Sequence, residues 1–108
     1  MIHGNERADL QIRSVIENDI GTSEVWTTVQ TLFGWLDQSN GDSKYINDTK
    51  MQDSSHIFLA DYVPLDRRIK AENSRVVIAG YVYDITLIDD PMEMHRQLEI
   101  YLKYTGGQ

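Results

Sequence analysis

Apolar residues in this chain recur with a period of two, and this pattern constrains the fold more than any other feature of the sequence. Leu10 and Ile12 alternate with polar residues, and Leu98, Ile100 and Leu102 do so again further along. A period of two points alternate side chains to opposite faces of a β-strand, whereas a helix needs spacings of three and four. Helical periodicity is not sustained anywhere. We therefore predict a mainly β fold.

Six segments have strand patterns, and turn residues separate them. They are residues 8–13, 24–36, 54–63, 75–78, 81–88 and 97–104. Ala79 and Gly80 join the fourth segment to the fifth, which predicts a β-hairpin. Because closure hides sheet edges, we predict a small antiparallel β-barrel of about six strands. A chain of 108 residues forms one domain, which we assign to residues 8–105 after a flexible N-terminal arm at residues 1–7.

The segment from Glu24 to Leu36 is rich in Val, Thr, Trp and Phe, and it has apolar residues on both faces. In a regular strand one face holds Val25, Val29, Phe33 and Trp35, and the other holds Trp26, Leu32 and Leu36. Such a strand either contains a β-bulge or passes from the core into an interface. Burial of both faces within the monomer is the alternative.

Two segments do not fit the strand pattern. Asp37 to Asp53 is polar and has no apolar run, which predicts one long exposed loop with a helical turn near residues 44–48. Loops of this length in a compact domain are usually functional or disordered. Leu65 to Glu72 is charged and follows Pro64, which favours a short helical segment.

Charge and composition exclude several classes of protein. The net charge is -7, which argues against a free surface that binds nucleic acid, because phosphate binding needs clustered Lys and Arg. Cysteine is absent, so there is no disulfide framework, thiolate metal site or thiol nucleophile, and this fits a reducing cytoplasm. No segment approaches the roughly 20 apolar residues that cross a bilayer, so we expect no membrane partner.

Two sets of ionisable residues suggest chemistry. The histidines are His3, His56 and His95, and the acidic set is Asp89, Asp90, Glu93 and Glu99. The histidine spacings match no metal-binding motif. Asp89 and Asp90 precede Pro91 and are typical of a turn, and Glu99 falls on the outward face of the last strand. We therefore predict no enzyme activity, no metal and no cofactor.

Two basic groups suggest binding. They are Lys44 and Lys50 around Tyr45, and Arg67, Arg68 and Lys70. The first group could touch nucleic acid, but neighbouring aspartates favour an ordinary solvated loop. The second could be a docking patch for an acidic partner, and a solvated helical face is the alternative.

Several short motifs occur together and in order. They are Gly34-Trp35-Leu36-Asp37, Asp53-Ser54-Ser55-His56-Ile57-Phe58, the segment from Arg75 to Ile85, Asp89-Asp90-Pro91, and Gln97-Leu98-Glu99-Ile100-Tyr101-Leu102. This succession resembles the head-closure, stopper or head–tail joining proteins of tailed bacteriophages. The resemblance covers about Ala8 to Tyr104.

The resemblance implies a virion protein of the neck, assembled in the host cytoplasm. Such a protomer forms a homo-oligomeric ring of roughly twelve or six copies below the portal or adaptor protein, and it is monomeric when free. The ring retains packaged double-stranded DNA without sequence specificity and docks tail-terminator or tail proteins. In this family the loop after the second strand points into the channel. The matching positions here are Gln38, Asn40, Lys44, Tyr45, Asn47 and Lys50.

Other functions remain open at this stage. A tail-completion or tail-terminator protein is a similar small ring protein of the neck, whereas the adaptor itself would be largely helical. A small single-stranded nucleic-acid-binding barrel needs a basic groove with stacking aromatics, and here the aromatics are present without the charge. A metal-dependent hydrolase would require bound metal.

Overall fold

The computed structural model describes residues 6–38 and 54–107, and these form six strands. The strands are β1 (Glu6–Asn18), β2 (Gly21–Gln38), β3 (His56–Asp61), β4 (Ser74–Ile78), β5 (Tyr81–Asp89) and β6 (Gln97–Gly107). The mainly β class is therefore confirmed. Between β3 and β4 the helical content is one 3-10 turn, Ala71–Asn73, at the end of the segment for which a helix was predicted. The turn predicted near residues 44–48 lies outside the described residues.

All six strands join into one antiparallel sheet that closes on itself. Its strand order is β1-β2-β3-β6-β5-β4, a closed barrel, and β4 pairs with β1 from Ala8↔Ile78 to Ile12↔Ser74. Closure gives each strand two hydrogen-bonded neighbours over part of its length, which hides edges that would otherwise attract other chains. The predicted hairpin at Ala79 and Gly80 is present, since β4 and β5 pair across it.

Side chains that point into the barrel form the core. The least exposed of them include Leu10, Phe58, Val76, Ile100 and Leu102, each with 0% of its surface exposed. These residues occupy alternate positions of their strands, as the period of two predicted. Full burial of each such side chain contributes about 1.5–3 kcal/mol to the free energy of unfolding. These side chains fill the interior of the barrel, which is therefore a packed core.

β2 contains a β-bulge opposite β1. Leu10 pairs with Gln30 and Gln11 pairs with Thr28, which leaves Val29 without a cross-strand partner. The bulge reverses the alternation of side chains in the first half of β2. For this reason Trp26 lies on the outer side with Arg75, opposite to Leu32, and of the alternatives that the sequence offered for this strand the β-bulge is confirmed.

The distal halves of β1 and β2 form a two-stranded ribbon. β1 pairs with β4 only as far as Ile12, and β2 pairs with β3 only from Trp35 to Gln38. Residues 13–18 and 21–26 therefore pair only with each other, and we call them the ribbon. The molecule measures 50 Å along its longest axis and 29 and 24 Å along the others.

The ribbon ends in a turn between Asn18 and Gly21. Asn18 Oδ1 accepts a hydrogen bond from the backbone N–H of Ile20 at 3.0 Å. Gly21 has a φ of 132°, which a residue with a Cβ rarely adopts. These two features close the hairpin.

Three details of the outer surface differ from the sequence-based expectation. β1 begins at Glu6, so Glu6 and Arg7 belong to a strand rather than to the arm, whose residues 1–5 lie outside the described part. A register shift after Ile85 turns Leu87 outward beside Tyr101, whereas regular alternation of the strand would put it on the same face as Ile85. Glu99 lies on the outward face as predicted, opposite Leu59, but it is only 9% exposed, and it accepts a hydrogen bond from the Tyr101 hydroxyl at 2.8 Å.

Candidate docking and channel surfaces

The barrel has two ends with different residues. At one end, the loop end, β2 stops at Gln38 and β3 starts at His56, and these two residues are cross-strand partners. The turn at Ala79 and Gly80 lies at the same end, because β4 finishes and β5 begins there. The opposite end, the ribbon end, carries the ribbon and the connections 62–73 and 90–96. Both flanks of the long polar segment after β2 therefore lie at the loop end.

An open cleft at the loop end is lined mainly by aromatic side chains. Its volume is about 270 Å³, and its lining residues are Gln38, His56, Tyr81, Tyr83 and Tyr104; we call it the aromatic pocket. The ring centres of His56 and Tyr83 are 5.1 Å apart in an edge-to-face arrangement. Those of Tyr83 and Tyr104 are 5.6 Å apart. Such contacts stabilise ring pairs and hold the pocket in one shape.

Ser55 fixes the start of β3 next to this pocket. Its hydroxyl is 2.8 Å from His56 Nδ1, and it accepts a hydrogen bond from the backbone N–H of Tyr104, also at 2.8 Å. The backbone N–H of Ser55 donates to the carbonyl of Leu102 at 2.8 Å. The chain is therefore tied to β6 two residues after the polar segment.

Burial keeps the pocket electrically neutral near pH 7. Desolvation lowers the pKa of His56, and the nearby Asp37 carboxylate partly offsets this. Desolvation also raises the pKa of the Tyr83 hydroxyl, with a smaller contribution from Tyr104. Both shifts favour the uncharged form of the group. The pocket thus offers apolar and aromatic contacts and hydroxyl groups.

The predicted channel residues fall on both sides of the boundary of the described structure. Gln38 is the last residue of β2, is exposed and lines the aromatic pocket. The other five, Asn40, Lys44, Tyr45, Asn47 and Lys50, lie outside the described residues. Their orientation toward a channel stays a prediction.

The predicted docking patch lies in the connection between β3 and β4, at the ribbon end. Arg68 is bound to Asp66, with its Nη2 2.8 Å from Asp66 Oδ2 and its Nε 3.0 Å from Oδ1. These hydrogen bonds lower the pKa of Asp66 to about 2. Arg67 and Lys70 are exposed. The basic group is therefore not uniform, because one of its three cations is engaged within the chain.

A second exposed surface lies on the outside of β2 and β3. Phe33 is 63% exposed and Trp35 is 55% exposed, and Trp35 pairs across the strands with Leu59. We call Phe33, Trp35 and Leu59 the outer wall. The sequence had put Phe33 and Trp35 on one face, and that placement is confirmed. Alternation alone does not tell which face of a strand points to solvent. The exposure of Phe33 and Trp35 is determined by the way in which the sheet closes.

The connection before β6 is a tight loop that sequence analysis treated as an ordinary turn. His95 Nδ1 lies 2.6 Å from Asp90 Oδ2, and its ring centre lies 4.5 Å from that of Tyr62. Met92, Glu93 and His95 have φ values of 57°, 54° and 55°, which non-glycine residues adopt at a cost. No sequence pattern signalled this geometry.

Within residues 6–38 and 54–107, no three His, Asp or Glu side chains come together in a way that could hold a metal ion. In the same part of the chain, no helix has the length and apolar character needed to cross a membrane.

Comparison with known proteins decides what class of protein carries these surfaces. A family model described as phage head completion protein matches residues 2–103. The chain belongs to the phage head completion protein family. This confirms the resemblance found in the sequence motifs.

Membership in the phage head completion family has direct consequences. The chain is a structural component of a virion, it acts in head completion, and its family is not an enzyme family. It interacts with other head or tail proteins.

The fold of this head completion protein also occurs among solved structures. Protein SF1141 from Shigella flexneri 2a, solved in solution, matches with a TM-score of 0.69 and 18% sequence identity. The match covers 96% of this chain and 95% of that chain. At this identity the likeness concerns the fold. No curated protein matches the sequence.

Proposed function

We propose that this chain is the head-closure, or stopper, protein that joins head to tail. In this proposal, copies of the chain form a ring below the portal or adaptor, retain the packaged DNA and present a surface for the tail. The polar segment after β2 points into the channel, with Gln38, Asn40, Lys44, Tyr45, Asn47 and Lys50 among its channel-facing residues.

The observation that carries the proposal is the pairing of Gln38 with His56 at the loop end. The two flanks of the long polar segment meet at this one cross-strand pair, so the segment begins and ends at the same place on the barrel. Ser55 and the aromatic pocket make this base rigid, because their contacts tie the start of β3 to β5 and β6. A long polar segment on a rigid base suits a plug that blocks DNA sterically.

Charge supports a plug rather than a DNA clamp. The net charge of -7 opposes tight binding to phosphates, and a channel through which DNA must slide needs weak contacts. Arg67 and Lys70 lie at the opposite end of the barrel from Gln38. This separation leaves the ribbon end for contact with a neighbouring protein ring.

The proposal is tested on DNA-filled heads assembled without this protein. Purified chain is added, and the fraction of DNA that resists nuclease is measured before and after addition of tails. We expect wild-type protein to raise the protected fraction severalfold. A variant with residues 40–50 replaced by a short Gly-Ser linker should bind heads and accept tails but leave the DNA accessible. Lys103→Gln, an exposed change on β6 outside both proposed surfaces, is the control and should behave as wild type.

The other outcomes identify the competing functions. Binding to purified tails instead of filled heads would make the chain a tail terminator. A mobility shift of free DNA that disappears with added salt would make it a nucleic-acid-binding barrel. Full protection by the linker variant would contradict the role of the segment as a plug.

A further inference from the structure

We propose that the aromatic pocket at the loop end binds the guanidinium group of an arginine carried by another protein of the virion. This inference goes beyond the proposed head closure and does not depend on it. It is supported by the arrangement of the tyrosine rings, by the carboxylates around the pocket and by the positions of the chain's own arginines.

The tyrosine rings of the pocket leave their faces uncovered. The ring planes of Tyr81 and Tyr104 are tilted by 58° with their centres 6.0 Å apart, and those of Tyr83 and Tyr104 are tilted by 60°. Rings stacked in parallel would cover each other's faces, whereas tilted rings keep them accessible. Tyr81 is 50% exposed and Tyr104 is 45% exposed. The pocket therefore offers ring faces to a group that enters it.

The face of an aromatic ring attracts cations, because it carries the negative part of the ring's quadrupole. Arginine makes such contacts more often than lysine does, since its guanidinium group is planar and more weakly hydrated. The same pairing occurs within this chain, where Arg75 lies over the ring of Trp26. The pocket volume of about 270 Å³ is below the roughly 300–1,000 Å³ of sites for drug-sized ligands and suits the end of one side chain.

Carboxylates around the pocket favour a cation as its occupant. Glu6 is exposed and lies two residues before the core residue Ala8, so its side chain projects from the same face of β1, at the mouth of the barrel. Burial is the main cause of the raised pKa of Tyr83, and the Glu6 carboxylate adds to it. The Asp37 carboxylate acts on His56 in the same way, opposing the lowering of its pKa by burial. Both carboxylates attract a positive group in the pocket.

The cations nearest to the pocket residues along the described strands point elsewhere. Lys103 alternates with Tyr104 on β6, so its side chain lies on the outer face of the barrel. Arg7 follows Glu6, but its Nε lies 3.1 Å from Asp9 Oδ1. An anion such as a DNA phosphate would therefore meet carboxylates at this mouth, and this makes a cation the occupant that the charges select.

The chain's own arginines are placed away from the pocket. The sequence has six of them, and all lie within residues 6–38 and 54–107. Four contact a carboxylate or an aromatic ring elsewhere, namely Arg7, Arg13, Arg68 and Arg75. The other two, Arg67 and Arg96, belong to the connections at the ribbon end. The guanidinium group must therefore come from another molecule. Because a head completion protein interacts with other head or tail proteins, we assign it to one of these.

The proposal is tested by NMR titration of the full chain with a capped glycine–arginine–glycine peptide. The control peptide has citrulline in place of arginine, which keeps the size and planar shape of the side chain and removes its charge. We expect the arginine peptide to shift the signals of His56, Tyr83 and Tyr104. It should bind severalfold more tightly than the citrulline peptide, because the contact with the ring faces and with Glu6 requires the positive charge.

Variants of the pocket locate the site. Glu6→Gln and Tyr104→Leu should each weaken binding of the arginine peptide severalfold, whereas Tyr104→Phe retains the ring and should bind as wild type. Trp35→Leu is the matched control, since it removes an exposed aromatic residue outside the pocket. The melting temperature verifies that each variant is folded. Glu6→Gln changes an exposed residue and keeps the test valid if Tyr104→Leu does not fold.

Particles test the source of the arginine. Glu6→Gln should bind severalfold more weakly than wild type to filled heads or to purified tails, and wild-type binding to both would overturn the assignment to a virion protein. Signals of the pocket that shift with the concentration of the chain alone, and no longer do so in Arg67→Gln, would make a second copy the occupant and overturn it as well.

The remaining outcomes separate this site from head closure. Equal affinity for the two peptides, or equal loss of binding in Tyr104→Phe and Tyr104→Leu, would overturn recognition of a guanidinium group by ring faces. If either result is found with a chain that protects DNA in filled heads, the arginine site is wrong and head closure stands. If the chain prefers the arginine peptide as expected but never protects DNA, head closure is wrong and the arginine site stands.

Discussion

The guanidinium group of Arg75 lies over the indole ring of Trp26, with its carbon 4.3 Å from the ring centre. Trp26 belongs to the base of the ribbon and Arg75 to β4 of the barrel, so the contact joins the two parts. Arg75 also donates from Nε to Gln11 Oε1 at 2.8 Å, which holds its side chain in place. This arrangement predicts that ribbon order depends on Trp26.

Trp26→Ala should loosen the ribbon without unfolding the barrel. A cation–π contact of this kind contributes about 0.5–1 kcal/mol, so the hydrogen-exchange protection of ribbon amides should fall by a factor of about two to five. Amides of β3 and β6 should keep their protection. Trp35→Ala is the matched control, since it removes an exposed tryptophan of the same strand that stacks on no cation of residues 6–38 and 54–107. Equal loss of ribbon protection in both variants would contradict the prediction.

Gly34→Ala should destabilise the barrel. A Cβ at this position would collide with the carbonyl oxygen of Leu59 and lie 2.9 Å from the Phe58 ring. Overpacking of this kind costs about 1–3 kcal/mol, measured as the free energy of unfolding in urea. Ser23→Ala, on the exposed ribbon, is the control and should change stability by less than about 0.5 kcal/mol.

A second variant separates the two collisions at Gly34. Phe58→Leu should not rescue Gly34→Ala, because the backbone oxygen of Leu59 stays in place. Rescue to the stability of Phe58→Leu alone would mean that the ring, and not the backbone, excludes a side chain there.

Stability should depend on pH through His56. Burial holds the pKa of His56 below its ordinary value of 6.5, so the unfolded chain binds a proton that the folded chain releases. The contribution of neutral His56 to the free energy of unfolding is fully present above about pH 6.5, and it decreases as the pH falls below this value. His56→Gln should flatten this part of the stability curve. Asp37→Asn should lower the His56 pKa further, measured by NMR titration, because the carboxylate is what raises it. An increase would contradict the assigned cause.

The three cations of the docking patch should act differently. Arg68 is engaged with Asp66, whereas Arg67 and Lys70 are exposed and free to meet a partner. Arg67→Glu and Lys70→Glu should therefore weaken binding to filled heads and leave the melting temperature unchanged. Arg68→Gln should weaken binding to filled heads less than these two variants do. It should also raise the pKa of Asp66 from its value of about 2. Equal loss of binding in all three variants would favour a uniform basic patch, and no loss in any of them would remove the patch from the docking surface.

Much of the fold was predictable because each strand carries its own signal. Alternation identified all six strands, and in β6 it also identified the inward residues Leu98, Ile100 and Leu102. The three register shifts, after Leu10, Val82 and Ile85, were not located, because a bulge adds one residue without changing the local composition. Consequently the sides occupied by Trp26 and Leu87 were not predictable.

The surfaces were less predictable than the strands. The aromatic pocket brings together residues from β2, β3, β5 and β6, and only the closed strand order makes them neighbours. Of its members, Gln38 was singled out in advance as a channel residue and His56 only as a histidine whose spacing matches no metal-binding motif. The ribbon could not be predicted, because the pattern of one strand does not show where the strand that pairs with it ends. The head-completion role came instead from the order of the motifs along the whole chain.

The unpaired Val29 has a mechanical consequence. Because a bulge bends and twists its strand, this one residue sets the direction in which the distal hairpin leaves the barrel. Its removal would keep Leu10 opposite Gln30 and Gln11 opposite Thr28, so the pairing on both sides would survive while the angle changed. A single insertion or deletion at this position can thus change the direction of the hairpin without changing the residues that fill the interior of the barrel.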